Sequence, residues 1–195
     1  MKQILVDSQF DEHHRVLKNK LNLKDSAELT RLAADFASAR LAQLLSRPIP
    51  GSFDIRHLRL IHRHIFQDIF PWAGDFREVT TSRTNSFGFP PPQFILPSLE
   101  TLFTALKSEN HLQGLDPDTF ARRAGHYLGE INAIHPFREG NGRAQREFIR
   151  CLALHAGHPL TWAALTPEEN NEASRISFAT GDSTLLATLI RKRLL

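Results

Sequence analysis

Apolar residues recur at helical spacing in segment after segment of this chain, and proline or glycine closes each run. From Asp25 or Ser26, a capping residue, Leu29, Leu32, Ala33, Phe36, Leu41, Leu44 and Leu45 keep that period until Pro48 and Pro50. A second run opens near Asp54, carries Leu58, Ile61, Ile65 and Ile69 on one side, and stops before Pro71. Helical period returns at Leu96, Leu99, Leu102, Phe103 and Leu106, and again after Asp116-Pro117 with Phe120, Ala124, Tyr127, Leu128 and Ile131. Pro136 disfavours helical geometry in the residue before it, so this helix ends near His135. The next carries Phe148, Ile149, Leu152 and Ala156 and stops at Gly157 and Pro159. Thr166-Pro167-Glu168 opens another, and Leu185 to Leu194 makes the last. One stretch breaks the pattern: "FREVTT" reads as a short strand, "SRTNS" as a polar turn and "FGF" as a return strand before three prolines. The expected fold is mainly α, a helical bundle with one small exposed β-hairpin.

No repeat, low-complexity stretch or linker divides the 195 residues, so residues 1–195 are expected to form a single domain. Hydrophobic residues at 41% exclude a disordered chain. The 24 Lys and Arg alternate with 21 acidic residues and form no stripe with interleaved aromatics, so no direct nucleic-acid contact is expected. The apolar run before Asp7 is too short for a signal peptide and no later segment could span a bilayer, which points to a cytoplasmic protein without a membrane. The lone cysteine, Cys151, agrees with a reducing compartment and reads as a small buried apolar residue. His13-His14 and His62 with His64 lack i, i+4 ligand spacing and a nearby cysteine, so structural or surface roles are expected.

The chemistry concentrates in "AIHPFREGNGRAQREF", Ala133 to Phe148. Gly140 and Gly142 flank Asn141, so successive backbone N–H groups can face one concavity together with the free amides of the helix that starts about Asn141. This is an anion seat. Arg143 and Arg146 oppose the helix dipole there unless something negative sits in front of them, and their i, i+3 spacing suits two guanidinium forks on one polyphosphate. Glu139 offers a hard oxygen for Mg²⁺ bound mainly by phosphates and water. His135, across the turn, has the proton affinity to take a proton from a hydroxyl attacking phosphorus. Phosphoryl or nucleotidyl transfer follows from this set.

"HPFREGNGRAQR", His135 to Arg146, resembles the Fic family motif HPFx(D/E)GNGRxxR at every fixed position, and "HRHIFQDIFPWAGDFREV" resembles that family's approach to its flap hairpin. The resemblance covers about residues 54–157, with the flap at about 77–89, and implies a Fic-type helical bundle. It implies AMP transfer from ATP to a protein hydroxyl, with His135 as general base and Glu139 holding Mg²⁺. Asn141 with the Gly140 and Gly142 amides would cradle the phosphates, Arg143 and Arg146 would bind the phosphate tail, and Phe137 would plug the loop onto the core. The target would lie along the flap as an added strand.

Many Fic proteins carry a restraining helix, (S/T)xxxE(G/N). Only Glu109, Glu139 and Glu169 precede Gly or Asn here, and Ala105, His135 and Leu165 stand four residues before them. The chain thus resembles toxin-type members braked by a separate small antitoxin that supplies a glutamate toward Arg146, and such relatives modify type II DNA topoisomerases. Two other readings stay open: a Doc-like protein phosphotransferase, against which Gly140 stands where Doc-like motifs have Lys, and a non-catalytic helical binding module.

Overall fold

A computed structural model describes residues 7–81 and 88–195. Seven α-helices account for most of these: α1 Ser26–Ser46, α2 Ile55–Phe66, α3 Ile95–Ser108, α4 Pro117–Ile134, α5 Asn141–His155, α6 Pro167–Thr180 and α7 Thr184–Arg191. Local chemistry sets their starts. Asp25, Asp54 and Asp116 cap α1, α2 and α4 by accepting first-turn N–H groups, and Thr166 and Glu169 form a reciprocal capping box on α6. The last helix ends at Arg191 rather than Leu194, because Leu194 pairs with Leu160 in an isolated bridge.

Helix α5 runs through the core, burying Ala144, Phe148, Ile149, Leu152 and Ala153 against α2 and α4. Helix α7 packs closely on α4 at Gly125, where a Cβ would sit 2.7 Å from the Ala187 nitrogen. Beneath α1 lies a buried ion pair: Arg150 grips Glu147 through two bonds of 2.7 and 2.8 Å and donates to the Leu44 carbonyl. It ties α5 to the end of α1. Cys151 is buried beside Glu147, and burial pushes its thiol up to about 12.

The described two-stranded sheet is not the expected one. Strands β1 Phe10–Asp11 and β2 Val16–Leu17 pair antiparallel near the N-terminus, and Trp72, stacked on Phe70 at 4.3 Å, donates its indole N–H to Lys18 O. Trp72 thus anchors this N-terminal segment. Of the expected flap, residues 82–87, which are the turn "SRTNS" and the first residue of the return strand "FGF", lie outside the described residues. On its flanks, residues 76–81 run as irregular backbone instead of the strand read from "FREVTT", and the Phe89 N–H donates to Thr81 O at 2.8 Å.

Candidate functional site

The chain between α4 and α5 reverses over six residues, 135–140. His135 ends α4 in left-handed geometry, φ 49° and ψ 60°, as Pro136 requires departure from the helix at that point. Gly140 starts α5 at φ 80°, and a Cβ there would run into the ring of buried Phe66, so both backbone and space demand glycine. Phe137 is buried at 1% exposure and stacks on His62 at 3.8 Å, plugging the loop onto the core. Asn141 spends its side chain on Phe137, accepting from its N–H at 2.9 Å and donating to its carbonyl at 2.7 Å. What Asn141 can offer a ligand is its backbone N–H.

His135, Glu139, Gly140, Asn141, Gly142, Arg143 and Arg146 line one cleft of about 310 Å³. No side chain caps α5 and its first turn holds no acid, so the orphan amides and helix dipole meet two cations, of which Arg143 is paired with Glu139 and Arg146 with no carboxylate among the described residues. Arg143 grips Glu139 through both carboxylate oxygens at 2.9 and 3.0 Å and lies over the Phe66 ring. Arg146 is half-buried and donates to Asn170 Oδ1 at 3.2 Å. Burial, then the neighbouring Arg143 charge, lowers its pKa. An anion between the two guanidiniums relieves both penalties.

Glu139 fits a hard cation of the Mg²⁺ kind. Its carboxylate is part-exposed on the cleft, and no group of three or more His, Cys, Asp or Glu that could hold a metal ion gathers among the described residues. One protein oxygen suits an ion held chiefly by phosphates and water. The three glutamates weighed as a restraint bond to residues other than Arg146: Glu109 to Arg123 and Tyr127, Glu139 to Arg143 within the cleft, and Glu169 to Thr166 and Arg193.

Several residues that hold the site lie outside the fixed positions of the motif. His62, 0% exposed, accepts from the Gly74 N–H at Nδ1 and faces Glu139 O from Nε2 at 2.9 Å, which fixes the proton on Nε2. It is structural, as expected, but it holds the Glu139 loop. Arg138 reaches back 131 residues to Asp7 at 2.8 Å. Trp162 donates to Arg146 O at 2.8 Å. Beyond Arg143 and Arg146 the cleft continues into a groove of about 690 Å³ between α1, α5 and α6, with Leu41, Leu45, Trp162 and Leu165 on its walls. No helix among the described residues is long and apolar enough to cross a membrane.

Residues 52–153 match the Fic/DOC family. Protein adenylyltransferase VbhT of Bartonella schoenbuchensis is 41% identical over 188 residues, an alignment covering 96% of this chain and 39% of that protein. The probable protein adenylyltransferase Fic of Escherichia coli is 37% identical, covering 91% and 86%. Among solved structures, the Bartonella tribocorum BepC protein with bound AMPPNP superposes with a TM-score of 0.90 at 26% identity over 99% of each chain. An N-terminal Fic domain from Bartonella quintana with bound ADP gives 0.89 at 27% identity, covering 96% and 94%.

Proposed function

Because the chain belongs to the Fic/DOC family, we propose that it is a protein adenylyltransferase that moves AMP from ATP to a hydroxyl side chain of a target protein. The observation that carries this is the cleft that His135 lines together with Asn141, Gly142, Arg143 and Arg146. The nest and both arginines hold the polyphosphate, so that little besides positioning and charge neutralisation is asked of the protein. His135 takes the hydroxyl proton as the oxygen bonds to the α-phosphorus, the bond to the β-phosphate oxygen breaks, and pyrophosphate leaves with that electron pair. When bound, Mg²⁺ neutralises phosphate charge, with Glu139 as its protein ligand.

The target lies along the flap, residues 77–89, and a type II DNA topoisomerase in the cytoplasm is the proposed substrate. The groove beside Arg146 supports a separate antitoxin, with Leu45, 67% exposed, and Leu41 forming the apolar wall for an amphipathic helix that ends in a glutamate. Incubation with labelled ATP, Mg²⁺ and cell lysate tests this. The isolated chain should label a protein with the mass of AMP, and His135→Ala should lose labelling while still binding ATP. Labelling that survives in His135→Ala, or a target that gains phosphate, refutes the transferase reading. An isolated chain that labels nothing until one of its own segments is removed refutes the separate brake.

A further inference from the structure

Arg77 lies outside the HPFREGNGRAQR motif, yet it is among the largest fully buried side chains of the described residues. Among the described residues it pairs with no carboxylate. Its guanidinium donates instead to four main-chain carbonyls: Pro90 at 2.6 Å, His135 at 2.7 Å, Val79 at 2.9 Å and Ile134 at 3.2 Å. Its own N–H donates to Pro136 O at 2.9 Å. Burying a charge without a counter-ion is costly unless every donor is met, and only the planar five-donor fork of arginine can meet carbonyls on several sides at once. Two of these carbonyls are the last of α4, where unsatisfied oxygens and the negative end of the helix dipole compensate the cation.

The clamp therefore joins three segments: the outgoing foot of the flap at Val79, the returning foot at Pro90, and the helix end that bears His135. Next to Pro90, Phe89 is 3% exposed and lies flat on the imidazole of His135, centroids 3.7 Å apart and planes 8° apart. Phe178 of α6 backs Phe89 edge-on at 5.1 Å.

We propose that Arg77 is a positioning residue: through Pro90 and Phe89 it fixes the plane of the His135 imidazole, and through Val79 and Pro90 it mounts both feet of the flap on the same support. Base and docked target strand then share one rigid frame, so the hydroxyl is delivered to the nitrogen that receives its proton. This rests on the transferase reading for its consequence in rate, but the geometry is measurable without it.

The test follows the carbon-bound imidazole protons of His135 by NMR, assigned with His135→Ala, in full-length wild type, Arg77→Lys, Phe89→Leu and Phe89→Tyr. A ring stacked face to face shifts these protons upfield. Wild type and Phe89→Tyr should show the shift, and Arg77→Lys and Phe89→Leu should lose it. Initial rates of AMP incorporation into lysate protein at varied ATP should fall roughly 10- to 100-fold in kcat for the last two, the scale of a small misplacement, with KM for ATP near wild type. A folded Arg77→Lys that keeps both the shift and the rate overturns the proposal. If Arg77→Lys does not fold, a Phe89→Leu variant with wild-type shift and rate overturns it equally. Should the wild type transfer no AMP, the transferase reading falls, and the resonance alone decides the clamp.

Discussion

Acidification should weaken the fold through one side chain that touches no substrate, His62. Burial holds its pKa down at about 4 from an ordinary 6.5; the Arg143 charge pushes the same way, and the contact to Glu139 O opposes them. A second proton would have to sit on Nδ1, which already accepts the Gly74 N–H. With the folded pKa below the unfolded one, the unfolded chain binds more protons in between, so stability rises with pH across that window. The contribution is complete above about pH 6.5 and is lost progressively toward pH 4. At about 1.4 kcal/mol per pH unit the whole span amounts to about 3 kcal/mol. His57, His64 and His111 are also lowered by burial, so acid melting of the wild type alone is not diagnostic. His62→Gln isolates the effect, since its amide keeps a donor toward Glu139 and has no proton to gain. Urea unfolding followed by circular dichroism should show the stability advantage of wild type over this variant shrinking by about 2 kcal/mol between about pH 6 and pH 4.5. Parallel curves for the two proteins across that range refute the reasoning.

Gly140→Ala places a methyl inside the packed ring of Phe66 at a backbone φ of 80°. Left-handed geometry costs about 1–2 kcal/mol and overpacking about 1–3 kcal/mol, so the urea midpoint should fall by an amount equivalent to about 2–5 kcal/mol, with ATP binding weakened. A loss below about 0.5 kcal/mol contradicts the tight loop–core contact. Glu147→Ala strands Arg150, 7% exposed, without its counter-charge and should cost about 3–5 kcal/mol in the same assay. Adding Arg150→Met should return much of it, and a single variant of wild-type stability shows that water already reaches the pair.

The chain's own letters dictated whatever is settled between near neighbours. Asp25, Asp54, Asp116 and Thr166 cap helices by bonds to residues two or three positions on, so the start of each helix is written beside it. The same holds for the reversal from His135 to Arg146, where proline, two glycines and two arginines set geometry and charge within twelve positions. Tertiary structure decided the rest. Arg77 finds carbonyls up to 58 residues away and His62 one 77 away, and a backbone carbonyl leaves no mark in sequence because every residue has one. The N-terminal hairpin went unforeseen for a related reason: its strands are two residues each, too short for any period, and Trp72, 54 positions from Lys18, helps hold the segment in place. Seat and base are local chemistry, and what keeps them aligned is a set of long-range bonds that exists only once the helices have packed.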